Sequence, residues 1–153
     1  MRLFLGVVLL LFCLFIGYCL SGKYYFRRVF YSDFYNFNTT FFQEIAFKQT
    51  TLVNLIKNQN INTDFYCLIK NNVLESNLDV KIKYLTVQEK NFVFEYFAKI
   101  GKLDKDTQLE YLKSVSSIIL EKQQYSISDE KKYKALYVKL SFLIGLILLI
   151  VVL

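Results

Sequence analysis

Two long apolar runs, one at each end of the sequence, restrict the folds open to this chain more than any other feature. The first, Leu3 to Leu20, has 18 residues without a charge, about 27 Å of α-helix and close to the hydrocarbon thickness of a bilayer. The second, Leu140 to Leu153, has 14, and adding Ala135–Lys139, whose lysine can reach the interface, gives about 28 Å. The second run is apolar on every face, which favours lipid over a protein core. We therefore predict transmembrane helices at residues 1–21 and 135–153.

The first run has a second interpretation, because Arg2 also supplies the positive start of a secretory signal. The run is longer than the apolar region of most signals and lacks a small-x-small cleavage site, so an uncleaved anchor is favoured. An exported, signal-cleaved structural protein stays as an alternative. A lipoprotein signal is excluded, because Tyr18 precedes Cys19 and Phe12 precedes Cys13 where a small residue is needed.

The charges beside the two runs predict an orientation. Cytoplasmic segments next to membrane spans carry an excess of lysine and arginine. Basic residues follow the first run and precede the second: Lys23, Arg27, Arg28, Lys131, Lys132, Lys134 and Lys139. Only Arg2 and the amino terminus oppose them. We therefore expect a multi-pass protein of the cell membrane, with residues 22–134 in the cytoplasm and both termini outside, and we predict no nucleic-acid partner because no basic stripe lies away from the membrane.

The composition argues against an enzyme. The chain has no histidine, the residue most often used as a general base or metal ligand. None of its five glycines belongs to a GxxxxGK or GxGxxG pattern, and its three cysteines form no CxxC pair. Acidic Asp104, Asp106 and Glu110 are explained by the dipole of a helix N-terminus. We predict no catalytic residue, no cofactor, no metal and no small-molecule substrate.

The residues between the runs predict helices. After a linker at Ser21–Lys23, the first helix has apolar residues at the 3.6-residue spacing of one face: Phe30, Phe34, Phe37, Phe41 and Ile45. A second helix starts at Thr50 or Thr51, and a third starts at Asn60 or Asn62. The twelve tyrosines and fifteen phenylalanines mostly follow helix-face spacings, so we interpret them as core rather than as stacking surfaces for bases.

Asn71 to Lys83 is ambiguous, because part of it alternates like a strand, but a lone strand would have no partner and helix is favoured. Thr86–Glu89 fits a capping box. Gly101 suits the left-handed residue that ends a helix, and Asp104 or Asp106 begins the next helix. This last helix continues to the end of the sequence, and Ser126–Asp129 is the place where a bend is favoured. The predicted fold class is all-α: a membrane-anchored bundle of about six helices flanked by N- and C-terminal transmembrane helices.

Four segments in order resemble the stage III sporulation protein AB family of endospore-forming bacteria. The family has a terminal anchor, an early Glu-Ile, a Thr-Pro-Leu-like turn, a Phe-x-x-x-Gly-x-x-Asp-x-x-x-Gln hairpin and a lysine-rich helix entering a terminal span. The matching segments here are Glu44–Ile45, Thr50–Leu52, Phe97–Gln108 and Lys131–Gly145. The resemblance covers most of the chain. Two departures are Thr51 where the family favours proline, which affects the rigidity of the turn, and Ser141 where it favours glycine, which affects the packing of the membrane helix.

The resemblance implies a helical bundle similar to the cytoplasmic domains of inner-membrane platform proteins in type II secretion and type IV pilus systems. It implies a subunit of the channel complex between mother cell and forespore, placed in the mother-cell membrane beside a cytoplasmic ATPase, the family's AA protein, and other channel subunits. Through it Glu44, Gly101, Asp104 and Gln108 become candidates for partner binding, with helix capping as the simpler explanation for the last three. A platform subunit of a secretion or pilus apparatus unrelated to sporulation is the alternative.

Overall fold

The protein is described by a computed structural model that covers residues 2–48, 52–57, 63–75 and 82–152. Within these ranges every regular element is helical, as the sequence predicts. The described residues form five α-helices, where about six were expected, and a π-helical segment, Glu44–Lys48, that follows the first. The helices are α1 (Arg2–Gln43), α2 (Leu52–Lys57), α3 (Asp64–Glu75), α4 (Val87–Lys99) and α5 (Lys105–Val152).

The contacts divide the chain into two compact units. One, here called the paired-end unit, joins Met1–Arg28 with Tyr125–Leu153, and the other, the middle unit, is Val29–Gln124. Helices α1 and α5 each contribute residues to both units. These boundaries follow the contacts, whereas the predicted boundaries at residues 21 and 135 follow the loss of charge along the sequence, so the two describe different properties of the chain.

The core of the middle unit is aromatic. All four phenylalanines of the predicted stripe on α1 are buried, and Ile45 is half-buried. Their neighbours from the other helices include Phe65 of α3, whose ring centroid lies 5.0 Å from that of Phe34, and Tyr96 of α4, at 4.7 Å from Phe34 in an edge-to-face arrangement. Such pairs add to the free energy of burial. The interpretation as core is therefore confirmed for the phenylalanine stripe of α1, whereas other aromatic residues of this helix, Phe12, Phe15 and Tyr25 among them, are exposed.

Three of the predicted helix boundaries are confirmed. Thr86 caps α4 through a capping box with Glu89, in which each side chain accepts from the other residue's backbone N–H. Gly101 has φ +73°, the left-handed conformation that glycine adopts without a steric penalty. Asp104 precedes α5 and accepts from the N–H of Thr107 at 3.2 Å, so of the two predicted starts it is Asp104 that caps the helix.

Other expectations about local structure differ from the observed helices. The linker predicted at Ser21–Lys23 is wrong, because α1 continues through it. One glycine costs a helix only about 1 kcal/mol, which is too little to end a helix of 42 residues. Of the stretch predicted as helix from Asn71 to Lys83, α3 includes residues 71–75, whereas Ile82 and Lys83 are not helical. α3 begins at Asp64. The predicted caps at Thr50, Thr51, Asn60 and Asn62, and residues 76–81, lie outside the described residues.

The paired-end unit is an antiparallel helix pair with small residues at its contacts. A Cβ atom at Gly17 of α1 would lie 2.7 Å from the Cβ of Ser141 and 3.0 Å from the carbonyl oxygen of Tyr137. At Gly145 of α5, a Cβ would lie 3.3 Å from the Cα of Leu10. Glycines at these positions let the two backbones approach closely, which is typical of helix pairs in membranes.

Candidate functional site

The turn between α4 and α5 contains three of the four residues predicted for partner binding. The backbone N–H of Gly101 donates to Oε1 of Gln108 at 2.9 Å, and the N–H of Gln108 donates to the carbonyl oxygen of Asp104 at 2.8 Å. Leu52 of α2 packs on the turn, since a Cβ at Gly101 would lie 2.9 Å from its Cδ2. The structure thus brings Gly101, Asp104 and Gln108 together and gives each a role in closing the hairpin.

Hydrogen bonds within the turn stabilise the negative charge of the Asp104 carboxylate. The side chain of Thr107, and then its backbone N–H, lower the pKa of Asp104 because they favour the carboxylate. Asp104 is itself exposed. The carboxylate is therefore present at neutral pH and available both as a helix cap and to a partner in solution.

Gln108 is the unusual member of the turn. It is 2% exposed, and its Nε2 is buried without a hydrogen-bond partner. The orientation of the amide follows from Gly101, whose N–H needs an acceptor and would meet another donor if the amide were turned over. A buried amide nitrogen without a partner costs about 1–3 kcal/mol, so the cap is retained at some cost to stability.

Glu44, the fourth predicted residue, begins the π-helical segment after α1 and is half-buried. Two hydrogen bonds between α1 and α5 show at which end of the middle unit Glu44 lies. Gln123 donates to Ser32 at 3.4 Å and Asn38 donates to the carbonyl oxygen of Leu112 at 3.1 Å, so α1 and α5 run antiparallel in the middle unit. Glu44 therefore lies towards the same end of the unit as the turn. π-Helical turns occur often at functional sites, and nothing in the sequence pattern predicted this one.

Two buried polar contacts in the middle unit were also missed by the sequence reasoning. Asn38 is buried, and its Oδ1 accepts from the hydroxyl of Tyr96 at 3.1 Å. Burial, and then the neighbouring Tyr111, raise the pKa of Tyr96 well above its ordinary value, so its proton is retained. Tyr31 donates to Oε1 of buried Glu89 at 2.8 Å. The available signal was an asparagine directly after Phe37 on an otherwise apolar stripe.

Asn38 also borders a surface groove of about 480 Å³ in the middle unit, between α1 and α5. Tyr35, Phe42 and Leu112 give it apolar walls, and Lys113 also lines it. Among the described residues, no group of three or more histidine, cysteine, aspartate or glutamate side chains is arranged to hold a metal ion.

Two continuous helical stretches are long and apolar enough to cross a membrane by length and composition: Gly6–Phe47, which includes most of α1 and of the π-helical segment, and Lys105–Val151 of α5. In their most apolar 18-residue windows, 17% and 6% of the residues are buried inside the fold. The core helix of a soluble protein would be mostly buried, so these windows differ from core helices.

No protein-family model matches the chain, and no curated protein or solved structure is significantly similar to it. The family resemblance therefore depends on the sequence segments alone.

Replacing Gly101 by alanine is expected to destabilise the middle unit by about 1–2 kcal/mol, because an L-residue is strained in the left-handed region and its Cβ would press on Leu52. The measurement is the urea concentration at which half of the full chain in nanodiscs is unfolded, with the unfolded fraction detected by pulse proteolysis. Lys102→Ala, an exposed change in the same turn, is the control and should shift stability by less than about 0.5 kcal/mol. Equal midpoints for the two variants would contradict the strained turn.

Proposed function

We propose that this chain is a non-enzymatic membrane protein that docks a cytoplasmic partner and connects it to the bilayer. The observation that carries the proposal is the continuity of α1 and α5, which have 42 and 48 residues. A membrane span needs about 20. Each helix therefore has enough residues both to cross a bilayer and to help build the middle unit without a break.

The membrane part of the proposal is supported by the exposure of the apolar windows. Exposed apolar side chains are more stable in lipid than in water. The apolar ends of α1 and α5 have many of them: Phe4, Val7, Val8, Leu11, Phe12, Phe15, Ile16, Phe142, Leu143, Ile144, Ile147, Ile150 and Val151. The seven basic residues on the inner side of the two runs favour a middle unit in the cytoplasm.

The docking part is supported by the end of the middle unit that contains Glu44 and the α4–α5 turn. Acidic Asp104 and basic Lys102 are exposed there, and so is Phe47, at 83%. In this proposal a partner binds at that end of the middle unit. Binding changes the conformation of the turn, and α5, which begins there, transmits this change towards the membrane. The middle unit also has the apolar groove beside Asn38 as a second surface.

The resemblance to the stage III sporulation protein AB family makes the proposal more specific. In that form the membrane is that of the mother cell, the partner is a cytoplasmic ATPase like the family's AA protein, and further channel subunits bind alongside. A subunit of a type II secretion or type IV pilus-like apparatus would use the same arrangement, and the genes next to this one would distinguish the two.

The experiment that tests the proposal is labelling of Cys67 in intact cells. Cys67 is exposed on α3 in the middle unit, so a variant with Cys13→Ala and Cys19→Ala keeps one reporter with no engineered thiol in the fold. A membrane-impermeant maleimide is expected to label it only after lysis. The control adds Cys67→Ala and a cysteine after Leu153, which should be labelled in intact cells.

Labelling of Cys67 in intact cells would reverse the topology and contradict a cytoplasmic partner. Extraction of the chain by alkaline carbonate, without detergent, would contradict the membrane spans. With the expected topology, cross-linking from Lys102→Cys should capture a cytoplasmic ATPase, and its absence from the cross-linked products would contradict docking at the turn.

A further inference from the structure

The paired-end unit contains a groove of about 270 Å³ that the docking function does not use. Its walls include the aromatic side chains of Tyr18, Tyr25 and Phe26 from α1, with Glu130 and Lys134 from α5. Tyr18 and Tyr25 are 61% and 48% exposed. The groove therefore combines aromatic surface with a cation and two tyrosines open to the outside.

The positive charge in this groove is not neutralised by its acidic neighbour. Glu130 forms an ion pair with Arg28, and Asp129 forms one with Arg27, at 2.8 Å. Lys134 makes no ion pair within the part of the chain that the structure describes; its Nζ lies 5.5 Å from the ring centroid of Tyr18. An ammonium group beside tyrosines is suited to a phosphate, which accepts both charge-assisted and hydroxyl hydrogen bonds.

The level of the groove along both helices indicates where such a phosphate would come from. Tyr18 lies near the inner end of the uncharged run of α1, and Lys134 directly precedes the apolar end of α5. Tyr24 and Tyr133 stack nearby with centroids 4.5 Å apart. Tyrosine and lysine at the ends of apolar runs are typical of the headgroup level of a bilayer.

The apolar surface beside the groove favours a lipid over a free anion. Phe15 and Leu11 precede Tyr18 by three and seven residues, so all three share one face of α1, and Phe15 and Leu11 are 64% and 60% exposed. This stripe leads from the groove towards the centre of the apolar run. A soluble phosphate would leave it uncovered, whereas an acyl chain attached to the phosphate would cover it.

We propose that this groove binds one anionic phospholipid, with its phosphate at Lys134 and Tyr18 and one acyl chain along Phe15 and Leu11. The proposal rests on the membrane insertion proposed above. It assigns the groove a ligand, and it distinguishes Lys134 from the other lysines near the membrane, which attract anionic lipid only through general electrostatics.

The test is retention of lipid by the full chain. The chain is placed in nanodiscs of phosphatidylcholine with a minor fraction of phosphatidylglycerol, released into detergent, and its bound lipids are counted by native mass spectrometry. We expect one retained phosphatidylglycerol per chain, enriched over its share of the bilayer. Lys134→Gln should lower the enrichment about tenfold, because it removes a charge-assisted hydrogen bond to the phosphate.

Lys132→Gln is the matched control, because Lys132 is exposed on the same helix, carries the same charge and does not line the groove. It should leave the enrichment unchanged, and an equal fall in both variants would overturn the site in favour of general attraction. Displacement of the lipid by millimolar inorganic phosphate would overturn the lipid as ligand. Equal retention of both lipids by an inserted chain would overturn this inference alone, whereas a chain that leaves the nanodisc would overturn the membrane proposal and this inference with it.

Discussion

Replacing Phe65 by alanine is expected to cost the middle unit about 3–5 kcal/mol of its free energy of unfolding. Phe65 is fully buried, and its ring lies within 6.0 Å of the rings of Phe30, Phe34, Phe37 and Phe97. It therefore joins α3 to both α1 and α4, and its removal leaves a cavity between three helices. With a denaturant slope of about 2 kcal/mol per molar, the urea midpoint in nanodiscs should fall by roughly 2 M.

Phe94→Ala is the matched control for this change. It removes the same atoms from a residue of α4 that is 48% exposed, and surface changes of this kind alter stability by about 0.5 kcal/mol. If Phe65→Ala and Phe94→Ala lowered the midpoint equally, α3 would not be part of the aromatic core, and the fold of the middle unit would need revision.

The stripe on α1 shows why part of this fold was predictable. Phenylalanines at positions 30, 34, 37 and 41 repeat at the helical spacing, so their burial follows from one local pattern. The capping box at Thr86 and the left-handed Gly101 are equally local, since each depends on residues within a few positions. Local patterns of this kind can be read without knowing which helix packs against which.

The features that escaped prediction depend on contacts between distant residues. Asn38 lies beside the stripe, and its side chain is buried because it forms hydrogen bonds with Tyr96 and Leu112. These residues lie 58 and 74 positions away in the sequence. Glu89 was recognised as part of a cap, yet its second oxygen accepts from Tyr31 across the core. The role of Gln108 as acceptor for Gly101 likewise needed the closed turn.

The departure at Ser141 illustrates the same limit at the other unit. The family that the sequence resembles favours glycine at this position, and the serine of this chain therefore left the close packing of the membrane helix open. In the structure the glycine is on the facing helix, because Gly17 of α1 lies against Ser141. One small residue from each helix permits the approach, and sequence spacing within α5 alone could not reveal the partner.

Replacing Gly17 by leucine is therefore expected to separate α1 from α5 in the paired-end unit. Its Cβ would lie 2.7 Å from the Cβ of Ser141 and 3.0 Å from the carbonyl oxygen of Tyr137, and the latter belongs to backbone that cannot turn aside. Overpacking of this kind costs about 1–3 kcal/mol, which lowers the population of the close helix pair about five- to 150-fold. Leucine suits both helix and lipid, so the loss would come from the contact itself.

A disulfide measures this separation directly. A Cβ at position 145 would lie 3.5 Å from the Cβ of native Cys13, within the range that a disulfide spans. In a chain with Gly145→Cys, Cys19→Ala and Cys67→Ala, mild oxidation in nanodiscs should cross-link α1 to α5, and Gly17→Leu should slow this reaction at least fivefold. Gly22→Leu is the control, because the nearest atom to its Cβ is the ring of Phe26 at 3.9 Å, and it should leave the rate unchanged. If Gly17→Leu cross-linked as fast as the control, the two helices would not be held together by the close contact at Gly17.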